Sequence, residues 1–280
     1  MSDKSNFSPE EETSVNDSNS KRYRITLEYD GSDFFGWQIQ PEQRTVQGQL
    51  EDALARLYGG RIQVYGSGRT DTGVHASGMV AHFDSPHKYT QEVILKAVNA
   101  NLPPDVRITE IEPVSPDFHA RFSARWRWYR YRLSRKYSPL GRQYRWTPDF
   151  QLDDELLKQA ADLFIGEHDF TAFSKADPAI DDHRCCVHAA EWLCLDDEWK
   201  FHIVANRFLR HMVRQIVGSI CDVARGKYSS DQISEALASK RKILNVYTAP
   251  AHGLCLMKVG YGTFPYLDKD CNVIQNFPFP

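Results

Sequence analysis

One segment, Gly66-Ser-Gly-Arg-Thr-Asp-Thr-Gly-Val-His-Ala-Ser-Gly78, gathers residue types that do chemistry. A single carboxylate, Asp71, stands between a cation (Arg69), two hydroxyls (Thr70 and Thr72) and four glycines. The segment is too polar for a core strand and too rich in glycine for a helix. Glycine lets a backbone approach a ligand closely and adopt positive φ. A carboxylate beside a guanidinium stays ionised at neutral pH. Together these features predict a preformed loop presenting Asp71 as a nucleophile or an electrostatic stabiliser. Asp, Thr and Gly are also ordinary turn residues, so Asp-Thr-Gly alone fits a hairpin loop equally well. The surrounding residues separate the two readings.

A second signal runs from His119 to Arg145, which contains eight Arg, one Lys and no acidic residue. The same stretch holds Phe122, Trp126, Trp128, Tyr129, Tyr131, Tyr137 and Tyr144. Cations for phosphates, interleaved with flat rings for unstacked bases, predict an RNA-binding surface. The plainer alternative is a half-buried strand with a solvated charged face. On a two-residue period, Arg125, Arg127, Tyr129 and Tyr131 share one face, and Trp126 and Trp128 the other. Tyr129 is then able to stack on an extruded base while arginines hold phosphates. Arg207, Arg210, His211 and Arg214 recur at i, i+3, i+4 and i+7, one stripe of an expected helix. Such a stripe also suits a solvated face. Arg214 differs, because it lies inside Met-Val-Arg-Gln-Ile-Val, and a half-buried guanidinium needs a carboxylate partner.

The elements that must position these groups alternate regularly. Tyr23, Ile25, Leu27 and Tyr29 alternate with polar residues as a half-buried strand. Val46, Leu50, Ala53, Leu54 and Leu57 follow helical spacing, stopped by Gly59-Gly60. Strands from Ile62 to Tyr65 and from Met79 to Phe83 flank the Asp71 loop. A helix from Gln91 to Ala100 and a strand from Val106 to Val114 complete a β-α-β-β-α-β order. The order recurs. Arg125 to Leu133 is a strand, Leu152 to Ile165 a helix, and Val187 to Leu195 pairs with Trp199 to Ala205. A long helix from Arg207 to Arg225, a short one from Asp231 to Ser239 and a strand from Leu254 to Val259 follow. This predicts an α+β fold of two ferredoxin-like (βαββαβ) halves whose antiparallel sheets form a central RNA-binding cleft. The expected divisions are an acidic tail at 1–20, halves at 21–118 and 119–264, and an extension at 265–280.

The chain has 280 residues, 41% of them hydrophobic and 25% charged, the composition of a soluble globular protein. No apolar run reaches the length of a membrane span. The first twenty residues hold six Ser, five acids and one Lys, unlike a secretory signal or transit peptide, and predict a disordered tail. This tail outweighs the rest of the chain in the net charge of −3, which therefore hides the basic segment. Cysteines at 185, 186, 194, 221, 255 and 271 lack regular spacing and predict reduced thiols in the cytoplasm. The adjacent cysteines of His183-Arg-Cys-Cys-Val-His188 do not match usual zinc-ligand spacing, so no metal is expected there. Asp71-Thr-Gly73 is also an aspartic-protease signature, but those enzymes need two such carboxylates sharing a proton and this chain has one.

Gly68-Arg-Thr-Asp-Thr-Gly-Val-His-Ala76 resembles the catalytic loop of the tRNA pseudouridine synthase A (TruA) family. Five further blocks resemble that family in the same order: Tyr29 to Gln38, Asn99 to Pro103, Asp117 to Ala124, His168 to Phe173, and His211 to Gly218. The resemblance spans roughly residues 22 to 264. It implies isomerisation of uridine to pseudouridine in tRNA, at positions 38, 39 and 40 of the anticodon stem-loop, with no cofactor. It also implies that Asp71 is the nucleophile, Arg214 its ion-pair partner and Tyr129 the residue that meets the base. Arg69 fills the gap left by a flipped base or pairs with a phosphate, and Arg125, Arg127, Arg207 and Arg210 contact RNA. The family implies a homodimer with tRNA spanning both subunits. Some features depart from its pattern: the acidic Asp177-Pro-Ala-Ile-Asp-Asp182 loop, the N-terminal tail and the segment after Leu267, which have no counterpart, and Thr72 where alanine is frequent. His75, His82, His119 and His202 are expected to be structural, since the reaction demands no imidazole. A non-catalytic RNA-binding or RNA-folding protein using the same cleft is the rival reading, opposed by the presence of both Asp71 and Arg214.

Overall fold

The computed structural model describes residues 20–86 and 89–264. Residues 1–19 of the acidic tail and the whole C-terminal extension lie outside the described residues. The chain opens with β1 (Lys21–Tyr29), α1 (Val46–Tyr58), β2 (Tyr65–Gly66), β3 (His75–Ser85), α2 (Gln91–Asn101) and β4 (Val106–Pro113). It continues with β5 (Trp126–Ser134), α3 (Asp154–Asp162), β6 (Gly166–Asp169), β7 (Arg184–Cys194) and β8 (Glu198–Ala205). Helices α4 (Met212–Ala224) and α5 (Ser230–Ser239) precede the last strand, β9 (Leu254–Gly260). Local signals set the helix ends. Thr45 and Thr90 cap α1 and α2 through their hydroxyls, and Asp153 accepts from the amides of Glu155 and Leu156 at the start of α3. Ser229 and Gln232 form a reciprocal capping box on α5.

Four elements differ from the sequence expectation, among them β3, which starts at His75, inside the segment read as a loop, and not at Met79. The strand expected from Ile62 shrinks to Tyr65–Gly66, because side chains satisfy the Val64 backbone. Glu51 Oε1 accepts from Val64 N at 3.1 Å, and Gln47 Nε2 donates to Val64 O at 3.0 Å. The long helix expected from Arg207 starts only at Met212, because His211 adopts φ 63°, which breaks a right-handed helix. Arg207 and Arg210 therefore lie ahead of α4 and form no helical stripe with Arg214. The short edge strand β6 was not expected and pairs with β7 from Gly166↔Val187 to Asp169↔Arg184.

The strands join in one sheet in the order β4-β1-β3-β9-β5-β8-β7-β6, with β2 beside β3. In both parts the first strand lies between the last and the one before it: β1 between β4 and β3, and β5 between β9 and β8. All pairings are antiparallel except β3 with β9, where His75 faces Cys255 and Ala76 faces Leu256. That parallel contact fuses what the sequence presents as two sheets. Alternation assigns the faces. Ile25 and Leu27 of β1 pack with Leu50, Leu54, Ile94 and Val98 of α1 and α2 in one core. Tyr131, Leu133, Phe201 and Ile203 pack with Leu157, Ile216, Val217 and Ile220 of α3 and α4 in a second. Tyr129 packs against both cores, which puts it at the seam between them.

Helix α4 is pinned by a strap of chain just before β9. Ala249 N donates to Arg214 O at 3.1 Å, and Gly218 sits directly under the strap. A Cβ at residue 218 would lie 1.8 Å from Tyr247 O. In an open helix, Gly→Ala stabilises by about 1 kcal/mol. Here Gly218→Ala is expected to destabilise by about 1–3 kcal/mol, because rigid backbone must move. Thermal unfolding checks this: a lower Tm is expected, and a higher one contradicts the close packing of strap on helix.

Candidate active site

The loop bearing Asp71 connects β2 to β3 and is braced by the segment that follows β1. Trp37 N donates to Thr70 O at 3.1 Å, and Gly73 N donates to Phe34 O at 3.3 Å. The hydroxyls of Tyr29 and Thr70 lie 2.8 Å apart in a buried setting. Gly36 holds φ +86°, and a Cβ there would stand 2.5 Å from Thr70 O. Only glycine allows that approach. The Tyr29 to Gln38 block thus acts as the bed on which the Asp71 loop rests, a role its spacing alone does not reveal.

The other side of the site comes from the first turn of α4. Arg214 Nη1 lies 3.2 Å from Asp71 Oδ2, and Arg214 Nε donates to Ala249 O at 2.7 Å. The guanidinium is therefore clamped between the strap and the carboxylate. Its side chain is 16% exposed and that of Asp71 25%, so water screens the pair only in part. His211 Nε2 stands 3.5 Å from the same Oδ2. Among the described residues, Oδ1 accepts no hydrogen bond. The sequence pairing of Asp71 with Arg214 is met in space; His211 as a second neighbour of Asp71 was missed.

Tyr129 is half-buried on β5, edge-to-face with Phe208 at 5.1 Å between ring centroids. Burial pushes its phenol far up; Arg127 opposes this and Asp71 adds to it. The ring therefore offers a neutral phenol near Asp71, not a phenolate. Arg127 shares that face, as the two-residue period requires, but its guanidinium turns inward. Nη1 donates to Asn206 O at 2.8 Å and to Ala124 O at 3.1 Å. Nη2 donates to Arg121 O at 3.0 Å and to Ser67 O at 3.1 Å. Four carbonyls thus occupy the donors that the sequence reading assigned to phosphate. Arg127 ties β5 to the start of the Asp71 loop. Burial lowers its pKa from the usual arginine value, with Tyr129 opposing.

The remaining cations differ in setting. Arg69 is exposed on the loop itself, and Arg210 is exposed just ahead of α4. Arg207 is half-buried and within electrostatic reach of Arg127, so the two basic segments converge within one chain. Arg125 is exposed and lines a separate pocket with Trp126, His188, Tyr261 and Phe264. Elsewhere histidines serve the scaffold. Burial pushes His82 down to about 4 and His202 to about 3, and Ala120 N donates to His82 Nδ1 at 3.2 Å. Cys185 is buried while Cys186 is half-exposed, as neighbours on a strand must point to opposite faces. They cannot converge on one ion.

The model of a tRNA pseudouridine synthase family matches residues 25–123 and 160–262. A tRNA pseudouridine synthase A of Geobacillus sp. (strain WCH70) is 44% identical over 245 residues, covering 86% of this chain and 99% of that protein. A tRNA pseudouridine synthase A of Exiguobacterium sp. (strain ATCC BAA-1283 / AT1b) is 38% identical over 241 residues, covering 86% and 98%. The protein of that name from Bacteroides thetaiotaomicron is 39% identical over 244 residues, covering 86% and 91%. The alignments with these relatives run through the Asp71 loop, β5 and the start of α4 alike, and the chain belongs to the tRNA pseudouridine synthase A family, isomerases that act on tRNA.

Proposed function

We propose that this chain converts uridine to pseudouridine at positions 38, 39 and 40 of the tRNA anticodon stem-loop, with Asp71 acting at C1′ of the ribose. One observation carries the reading. Asp71 has one oxygen held by Arg214 while the other accepts no hydrogen bond among the described residues. A carboxylate so held is oriented and kept anionic, which is what an anomeric carbon losing its base requires. In the reaction the N1–C1′ bond breaks, the base turns, and a C5–C1′ bond forms. N1 gains a proton as C5 loses one, so no redox partner or net hydrolysis is needed. Asp71 either bonds to C1′ or steadies positive charge there while taking the 2′ proton; both routes use the same open oxygen.

Tyr129 is the surface on which the extruded uracil rests, and its neutral phenol suits stacking. Arg69, Arg125, Arg207 and Arg210 supply cations for the RNA backbone. Arg127 contributes by holding the loop, since its donors are engaged by four carbonyls. The common strand order supports reading residues 21–118 and 119–264 as two ferredoxin-like halves. The bacterial relatives support a cytoplasmic enzyme. Family membership supports a homodimer. Static light scattering at assay concentration tests that assembly, with the mass of two chains expected; a fully active monomer contradicts it.

Asp71→Asn keeps the size of the side chain and removes its charge. It is expected to abolish tritium release from tRNA labelled at C5 of uridine, with tRNA affinity within a few-fold of the wild type. Residual turnover above about a tenth removes Asp71 from this role. A wild-type protein that binds tRNA without releasing tritium favours the RNA-binding rival instead.

A further inference from the structure

The start of α4 contains a backbone feature that the Asp71–Arg214 pair does not explain. His211 holds φ 63° and ψ 0°, one of three non-glycine residues with positive φ among the described residues. Non-glycine residues take up that region in only a few per cent of cases, histidine more readily than most, and a residue held there is a place to look for a role. Here the consequence is specific. The kink ends the approach to the helix and brings His211 Nε2 to 3.5 Å from Asp71 Oδ2, the oxygen that Arg214 also engages. The other two are Glu42 and Lys240.

We infer that His211 is a positioning residue of the reaction: in its neutral form it steadies Asp71 Oδ2 beside Arg214 and leaves Oδ1 to face the ribose. Two nitrogens from residues three apart at the start of α4 converge on a single carboxylate oxygen, which fixes both the rotation and the position of the group. Their charges must differ. One guanidinium keeps the carboxylate anionic, whereas a second full cation would drain the charge on which attack or proton abstraction depends. The groups facing His211 favour the neutral imidazole. Burial lowers its pKa from 6.5, Arg214, Arg210 and Lys175 lower it further, and Asp71 alone raises it. The ring is thus neutral at pH 7 and takes a proton only as the pH falls below its ordinary value. Activity is lost in that direction.

The inference rests on the reading of Asp71 as the reacting carboxylate, and the test keeps the two apart. Single-turnover rates with saturating enzyme are measured from about pH 5 to 8. The proteins compared are the wild type, Asp71→Asn, His211→Asn and His211→Gly. Asparagine and glycine both tolerate positive φ, so neither change forces the backbone to move. Both His211 variants are expected to melt near the wild type and to bind tRNA within a few-fold. Their single-turnover rates are expected to fall by about tenfold or more. The acid-side decline seen in the wild type is expected to vanish from both. If His211→Asn does not fold, His211→Gly supplies the same two readings. Wild-type rates in the folded variants, or slowed rates with the acid-side decline intact, overturn the role given to His211. Activity in Asp71→Asn overturns the reading of Asp71 itself.

Discussion

The contact between Arg214 and Asp71 closes the chain on itself across 143 residues, and the site exists only where those two side chains meet. Asp71 is carried by a loop that the segment after β1 braces by hydrogen bonds and whose Val74 packs in the core of α4, and Arg214 by the first turn of α4. The parallel pairing of His75 and Ala76 with Cys255 and Leu256 brings them to a common seam, and Tyr129 fills that seam by packing on both sides. The strap at Ala249 then holds the guanidinium from behind.

Half-buried charge is costly unless it is met by partners, and each ionisable group near the seam meets that constraint differently. Arg214 has a carboxylate and a carbonyl. Arg127 has no carboxylate and spends its donors on four carbonyls drawn from four places in the chain. Tyr129 stays a phenol and His211 a neutral imidazole because burial disfavours their charged forms. The result is a site with one anion and few free donors close to it. Arg69, Arg125 and Arg210 are exposed.

Much of this was legible in the sequence where chemistry is written in residue type. A lone carboxylate among glycines, an arginine inside an apolar run and a tyrosine within a basic strand each pointed to a place in the site. The periods of two and 3.6 located most of the strands and helices within a few residues. What stayed hidden depends on contacts between distant segments. Nothing near residue 64 says that Glu51 and Gln47 will take its backbone bonds in place of a strand partner. The spacing of Arg207, Arg210 and Arg214 fits a helix well, and only the backbone of His211 shows that the helix starts later. Arg127 belongs to the right face, yet its inward turn depends on carbonyls far along the chain. The fusion of two sheets into one rests on a single two-residue pairing of β3 with β9.

The central claim is that Asp71 and Arg214 are coupled, and a double-mutant cycle on stability measures the coupling without reference to catalysis. Asp71→Asn, Arg214→Met and the double variant are compared with the wild type by urea unfolding. A pair that satisfies itself across the seam predicts that the double variant is more stable than the two single losses add up to. The expected difference is about 1–3 kcal/mol, since each single change leaves a half-buried charge alone. Additivity within about 0.5 kcal/mol contradicts the account, because the two residues would then sit side by side without holding each other.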